Sequence, residues 1–216
     1  MKALIVGATG LIGGICLDEV LNDDQYSSVE IWVRNYSGKS HSKLRETLID
    51  FNCLSDLTFT GIDHVFCCLG TTMHKVKTQN AFAKVDKEYV AELAKFAERS
   101  ACQKFLVISS IGANKSSKNF YLRTKGEMEG AVISYTIPAI YILRPSMLLG
   151  NRKEFRFGEM IGKALMIGCN YLLVGKLKKY RGIYAATVAK AMIKLAKRTD
   201  EGVFILESDE IERVGG

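Results

Sequence analysis

The sequence lacks the features that mark membrane-spanning and disordered proteins. Only two prolines, Pro138 and Pro145, occur in its 216 residues. No apolar run approaches the roughly 20 residues that span a bilayer, so we expect no membrane span. The apolar fraction of 48% suits one compact folded domain and leaves no room for a long disordered tail.

Patterns typical of disulfide frameworks and metal sites are also missing. None of the six cysteines forms a C-x-x-C pair, and Cys67 and Cys68 lie inside an apolar run. Such cysteines are usually small buried side chains in a reducing compartment. The three histidines share no ligand spacing, so we expect no metal site. Because the chain opens on a predicted strand instead of a secretory signal, the sequence predicts a cytoplasmic protein.

The charge is moderately basic. Thirty lysines and arginines stand against 23 acidic residues, which gives a net charge of +7. A basic excess attracts anions, including phosphate-bearing cofactors and nucleic acid. No base-reading motif accompanies the charge, so we expect no specific nucleic-acid partner.

Short apolar runs alternate with segments of helical period, which is the pattern of a parallel sheet covered on both faces by helices. We predict strands at 2–6, 29–33, 44–50, 64–69, 104–108, 137–143 and 203–206. We predict helices at 11–21, 79–99, around 121–128, 154–168 and 185–197. The predicted fold is therefore a doubly wound, three-layer α/β/α domain over 1–216, with a small substrate-side part at about 145–216.

A glycine-rich turn separates the first strand from the first helix. It reads Gly7-Ala8-Thr9-Gly10-Leu11-Ile12-Gly13, with a glycine at every third position. Glycines let a backbone turn sharply and approach phosphates closely. Backbone amides and the helix dipole then stabilise a diphosphate. The turn predicts a nicotinamide dinucleotide site.

The residue after the second predicted strand indicates which dinucleotide is bound. An acidic residue there binds the ribose 2′-hydroxyl of NAD, whereas an arginine accommodates the 2′-phosphate of NADP. This sequence has Arg34 at that place, followed by Asn35. We therefore expect NADP(H) to be preferred and leave NAD(H) open.

A tyrosine and a lysine stand four residues apart in a predicted helix. Tyr121 and Lys125 share one helix face at this spacing, and an ammonium beside a phenol favours the phenolate needed for proton transfer. Ser109 and Ser110 end the preceding strand, and either hydroxyl could bind a substrate carbonyl oxygen. Together with the glycine turn, these residues predict a catalytic site.

These motifs resemble one family across almost the whole chain. The chain resembles an atypical member of the short-chain dehydrogenase/reductase superfamily, close to the Tat-interacting-protein group of NADPH-binding oxidoreductases. The segments that carry the resemblance are 7–13, 67–72, 109–127 and 143–146. The resemblance implies an NAD(P)-binding Rossmann fold.

The resemblance also implies roles for individual residues. The dinucleotide would be held by Gly7, Thr9, Gly10, Leu11, Ile12, Gly13, Arg34, Leu69, Gly70, Thr71, Tyr121 and Lys125. Tyr121 would be the proton donor, Lys125 would bind the nicotinamide ribose, and Ser109 would orient the substrate. Asp86 stands where many relatives have an asparagine in a proton relay.

Two functions from different classes follow. The first is an NADP(H)-dependent oxidoreductase that acts on a small carbonyl or alcohol. The second is an NADPH-binding regulator or redox sensor with a protein partner and little turnover. The short stretch after the Arg144-Pro145 segment argues against large nucleotide-sugar substrates. A homodimer and a separate protein partner both stay open.

Overall fold

The computed structural model describes residues 1–56, 61–150 and 173–216. A seven-stranded parallel sheet runs through it. Its strands are β1 (Lys2–Val6), β2 (Ser28–Val33), β3 (Leu44–Leu48), β4 (His64–Cys67), β5 (Lys104–Ile108), β6 (Ala139–Arg144) and β9 (Gly202–Glu207). Their order in the sheet is β3-β2-β1-β4-β5-β6-β9. Two short strands, β7 (Leu148–Leu149) and β8 (Ile183–Tyr184), form a separate parallel pair.

Helices connect the strands. They are α1 (Leu11–Leu21), α2 (Met73–Val76), α3 (Gln79–Ala83), α4 (Tyr89–Arg99), α5 (Phe120–Ile133), α6 (Ala185–Ala196) and α7 (Ser208–Gly215). Two 3₁₀ segments, Phe51–Asp56 and Gly175–Tyr180, lie outside them. Within the described ranges, no helix has both the length and the apolar character that crossing a bilayer requires.

The core consists of two layers, one on each face of the sheet. Successive strand residues point to opposite faces, so Ile5 and Phe66 enter one cluster whereas Leu4 and Val65 enter the other. Helices α1 and α6 cover the first face, and α4 and α5 cover the second. The prediction of a doubly wound, three-layer α/β/α fold is confirmed.

The strand order reverses beside β1. Strands β2 and β3 extend the sheet to one side, and β4, β5, β6 and β9 extend it to the other. Val6 therefore lies opposite both Trp32 and Cys67. The loops after β1 and β4 leave adjacent strands in opposite directions, and ligands of open α/β sheets bind in the crevice that this creates.

The long helix predicted at 79–99 is interrupted. A π-helical turn, Lys84–Glu88, separates α3 from α4, and such turns insert an extra residue that sequence periodicity does not reveal. The predicted strand at 44–50 is present as the exposed edge strand β3, whose burial is only partial. The helix predicted at 154–168 lies outside the described residues.

Helix α7 has no counterpart among the predicted elements. Half of its residues are charged, and Ile211 is its one fully buried large apolar residue. The sequence nevertheless contained an indication of this helix. Glu207 and Glu210 stand three residues apart, and in the structure they form reciprocal side-chain-to-backbone hydrogen bonds at the helix start. Two acidic residues at this spacing, followed by an apolar residue, resemble a capping box.

Two glycines of α5 have opposite surroundings. A Cβ placed on Gly126 would lie 2.3 Å from the backbone carbon of Asn114 and 2.3 Å from the backbone nitrogen of Lys115. A Cβ on Gly130 would meet nothing within 4 Å. Gly126 thus lets α5 pack directly on the loop before it.

This contrast predicts opposite effects of the same substitution. Gly126→Ala should lower the free energy of unfolding by about 1–3 kcal/mol, because the loop backbone must move away. Gly130→Ala, the matched control, should raise it by about 0.5–1 kcal/mol through better helix propensity. Denaturant unfolding of both variants measures this. Equal effects of the two substitutions would contradict the close packing at Gly126.

Candidate functional site

The glycine turn packs its backbone against the end of β4. Gly7 has a φ of +89°, and a Cβ there would lie 2.4 Å from the carbonyl oxygen of Cys68. A Cβ on Gly13 would lie 2.2 Å from the Gly7 oxygen. The Gly10 amide donates to that same oxygen at 2.9 Å. Side chains at Gly7 and Gly13 would therefore collide with the backbone after β4 and with the backbone of the turn itself, so this close packing requires glycine at both positions.

The start of α1 is open to an anion. Gly10 is its N-cap and supplies no capping side chain, and the first turn carries no acidic residue. Because the first amides of a helix have no partner within the helix, those that follow Gly10 suit a diphosphate. Thr9 and Gly10 are exposed beside them, Leu11 is half-buried and Ile12 is buried. The residues present fit the phosphates of a dinucleotide.

Arg34 follows the last residue of β2 and is exposed. It forms no hydrogen bond or ion pair with the described residues. The carboxylate of Glu30 in the same strand accepts hydrogen bonds from Trp32 Nε1 at 2.9 Å and from Thr47 Oγ1 at 3.0 Å. Glu30 is thereby held in the protein interior and does not offer an acid to a ribose at the strand end.

The segment after β4 is anchored by one buried carboxylate. Leu69 and Thr71 are half-buried and Gly70 is exposed. The Thr71 amide donates to Asp86 Oδ2 at 2.7 Å. Asp86 is 1% exposed and comes from the π-helical turn. This contact fixes the backbone path of the segment predicted to pass beside the dinucleotide.

Tyr121 and Lys125 lie on the same face of α5 but differ in exposure. Tyr121 is 39% exposed and Lys125 is 4% exposed. The Tyr121 ring packs against Phe82 with 5.7 Å between ring centroids. Lys125 Nζ lies 2.9 Å from Asp86 Oδ1 and donates to the Ile108 carbonyl oxygen at 3.3 Å.

The charge of Lys125 is maintained by its surroundings. Burial alone lowers the pKa of Lys125, but the Asp86 carboxylate opposes this, and Tyr121 acts in the same direction as Asp86. The net result is a pKa of Lys125 above its ordinary value. The ammonium is therefore present at neutral pH, inside the protein and beside the exposed tyrosine.

The two serines after β5 differ in a way that the sequence did not reveal. Ser109 is buried, and its hydroxyl donates to Glu129 Oε1. Ser110 is half-buried, and its hydroxyl donates to the neighbouring Ile111 carbonyl oxygen at 3.3 Å. The hydroxyl of Ser109 is thus held by an interior carboxylate, and its role in orienting a substrate stays a prediction. The alternation of side chains along the chain accounts for the difference.

Buried Glu129 belongs to a second ion pair, with the half-buried Arg144, which sequence reasoning missed. Arg144, at the end of β6, donates from Nε to Glu129 Oε1 at 2.9 Å and from Nη2 to Oε2 at 2.6 Å. The hydrogen bonds that Arg144 donates to the Glu129 carboxylate raise the pKa of Arg144. One signal was available, since Tyr121, Lys125 and Glu129 recur at four-residue spacing and so follow one helix face.

Residues of α2, of the segment after β6 and of β4 differ in exposure. Met73 and His74 are exposed on α2, and Met147 and Leu148 are half-buried. Buried Cys67 has its pKa raised to about 12 by burial, so its thiol is a packing group and not a nucleophile. Among the described residues, no cluster of three or more potential ligand side chains could hold a metal.

Solved structures share this fold at low sequence identity. The Thermotoga maritima UDP-glucose 4-epimerase with UDP-glucose superposes with a TM-score of 0.68 at 17% identity, over 99% of this chain and 81% of that chain. MoeE5, in complex with UDP-glucose and NAD, gives a TM-score of 0.70 at 16% identity, over 98% and 79%. These likenesses establish the Rossmann-type architecture.

The expectation of a cytoplasmic location is contradicted by relatives that match along most of the chain. A protein of Eremothecium gossypii named FMP52, mitochondrial, is 30% identical over 98% of this chain and 96% of its own length. The Scheffersomyces stipitis protein FMP52-1, also named mitochondrial, is 29% identical over 93% and 90%. Composition and the first residues of the chain contain no information that could have revealed this.

The family follows from the same comparisons. Residues 7–158 match the NAD(P)H-binding family. The rat protein HTATIP2 is 35% identical over 75% of this chain and 69% of its own length. The matched region contains the glycine turn, Asp86, Tyr121 and Lys125. The chain belongs to the NAD(P)H-binding family, with the HTATIP2 and FMP52 proteins as its relatives, as the sequence resemblance had indicated.

Proposed function

We propose that this protein is an NADP(H)-dependent oxidoreductase that interconverts a small carbonyl compound and its alcohol, with Tyr121 as proton donor or acceptor. The observation that carries the proposal is the half-exposed Tyr121 beside an ammonium, Lys125, that is buried and charged. A dinucleotide-binding protein without chemistry has no need of a phenol beside a buried cation. The mitochondrial names of the FMP52 relatives support a mitochondrial site of action.

The proposal of NADP(H) as the cofactor rests on two parts of the chain, the glycine turn and Arg34 after β2. The amides of the glycine turn would hold the diphosphate, and the exposed guanidinium of Arg34 would pair with a 2′-phosphate in bidentate geometry. Leu69, Gly70 and Thr71 would border the rest of the dinucleotide. When bound, the nicotinamide supplies the hydride chemistry.

The protein's own part in the reaction is proton transfer and orientation. In the direction of reduction, Tyr121 donates its phenolic proton to the carbonyl oxygen of the substrate as that oxygen gains negative charge. The phenolate left behind is stabilised by the Lys125 ammonium until a proton returns from solvent. Ser110 is the better candidate for a hydrogen bond to the same oxygen, because the hydroxyl of Ser109 is held by Glu129.

Tyr121→Phe tests the chemical role. The phenylalanine keeps the contact with Phe82 but has no proton to donate, so turnover should fall by about a hundredfold or more, while the affinity for NADPH changes little. Turnover is measured as NADPH consumption with a panel of small aldehydes and ketones. Undiminished turnover would remove Tyr121 from the reaction. NADPH binding without turnover of the wild-type protein on any compound would instead favour the sensor.

Arg34→Ala tests the choice of cofactor. Loss of a charge-assisted bidentate contact should weaken NADPH binding by about tenfold or more. NADH binding should change little, because NADH has no 2′-phosphate. Fluorescence titration of both nucleotides measures the two constants. An equal loss for NADPH and NADH would contradict the role of Arg34.

The paired variants Ser109→Ala and Ser110→Ala separate structure from substrate contact. Ser109→Ala should lower the free energy of unfolding by about 1.5 kcal/mol or more, because it removes a buried hydrogen bond to a carboxylate. Ser110→Ala should change stability by no more than about 0.5 kcal/mol and should lower turnover. Thermal unfolding and the same aldehyde assay report the two effects. The reverse pattern would restore the substrate role to Ser109.

A further inference from the structure

Asp86 uses each of its carboxylate oxygens for a different part of the site. Oδ1 lies 2.9 Å from Lys125 Nζ, and Oδ2 accepts the Thr71 amide at 2.7 Å. Lys125 belongs to α5, whereas Thr71 follows β4. The side chains of Asp86 and Lys125 are only 2% and 5% exposed, so water does not compete strongly for this ion pair.

The position of Asp86 depends on the irregular turn in its helix. It lies in the π-helical turn between α3 and α4, a kind of turn that is frequent at functional sites. One turn earlier, Phe82 packs against the ring of Tyr121. The same helical run therefore contacts Tyr121, Lys125 and the Thr71 backbone.

The groups that surround the Lys125 ammonium come from four elements. They are Asp86 from the π-helical turn, the Ile108 carbonyl from β5, Tyr121 from α5 and Cys67 from β4. Burial raises the pKa of Cys67 to about 12, so it is neutral at ordinary pH. The counter-ion of Lys125 within the described part of the chain is thus Asp86.

We propose that Asp86 is the positioning residue of this site: one oxygen keeps Lys125 charged and in place, and the other holds the Thr71 segment at a fixed distance from it. The proposal rests on the proposed function, since it assigns Asp86 to the dinucleotide and proton-transfer machinery. Both contacts are made by groups of this chain alone, and we expect them to organise the part of the site that receives the nicotinamide half. Such preorganisation improves affinity because less ordering remains to be done on binding.

An asparagine cannot replace Asp86 in this arrangement. Its amide has one acceptor oxygen and a nitrogen that only donates, so it can accept from Thr71 or from Lys125 but not from both with separate oxygens. It also has no charge to balance the ammonium. Asp86→Asn therefore changes the electrostatics while almost preserving the shape of the side chain.

The first experiment compares Asp86→Asn with Glu92→Gln, a matched loss of carboxylate at an exposed ion pair with Lys95 on α4. In Asp86→Asn, burial continues to disfavour the ammonium without its counter-ion, so the titration midpoint of Lys125 should fall by at least about one pH unit. NADPH should bind about tenfold more weakly or worse. Carbon-13 NMR of the lysine side chains and fluorescence titration measure these effects, and Glu92→Gln should match the wild type in both.

The second experiment uses the pH dependence of stability. In the wild type the raised pKa of Lys125 gives stability that is fully present below its unfolded value and is lost as the pH rises through the folded value. In Asp86→Asn the unfolded state binds the proton more tightly than the folded state, so stability should rise between about pH 7 and pH 10. In Lys125→Met a buried carboxylate is left without its cation and takes up a proton on folding, so stability should fall between about pH 4 and pH 7.

The double variant Asp86→Asn/Lys125→Met removes both buried charges. Its stability should therefore show neither the rise with pH expected for Asp86→Asn nor the fall with pH expected for Lys125→Met. If Asp86→Asn is too unstable to study, the comparison of Lys125→Met with the double variant decides the point, because identical pH profiles would show that Asp86 is not the counter-ion. An unchanged Lys125 titration and unchanged NADPH affinity in Asp86→Asn would also overturn the proposal. Absence of turnover in every variant, with the Lys125 titration shifted as expected, would instead count against the proposed function alone.

Discussion

The close approach of two backbone segments determines the geometry of this site. Gly7, after β1, lies so near the Cys68 carbonyl after β4 that a side chain at Gly7 has no space. The contact exists because β1 and β4 are neighbours on which the strand order reverses. The crevice at this reversal is where the sheet offers the unpaired amides of α1 to a ligand. The family membership and the proposed cofactor both depend on this constraint.

Two ion pairs with buried carboxylates then fix the position of helix α5. Lys125 pairs with Asp86, and one helical turn later Glu129 pairs with Arg144 and accepts from Ser109. Buried ion pairs contribute little net stability over apolar packing, but loss of one partner is strongly destabilising. They therefore act here by specifying the position of α5. Tyr121 lies on the same helix face, one turn before Lys125, and is exposed.

Much of this arrangement could be predicted from the sequence because it is local. The glycine spacing of Gly7, Gly10 and Gly13, the apolar strands and the four-residue spacing of Tyr121 and Lys125 are all visible within short windows. The partners of Lys125 and Ser109 are not visible in such windows, since Asp86 and Glu129 contact them through tertiary packing. The π-helical turn that places Asp86 is a feature of backbone hydrogen bonding that the apolar pattern of 79–99 does not reveal. The cytoplasmic prediction was wrong. It was based on composition and on the first residues of the chain, whereas relatives that match along most of the chain are named mitochondrial.

The most direct test of the account is a crystal structure of the full chain with NADPH bound. We expect the diphosphate to contact the amides after Gly10, the 2′-phosphate to contact Arg34, and the nicotinamide ring to lie beside the hydroxyl of Tyr121. A dinucleotide bound away from the glycine turn, or a nicotinamide out of reach of Tyr121, would contradict it.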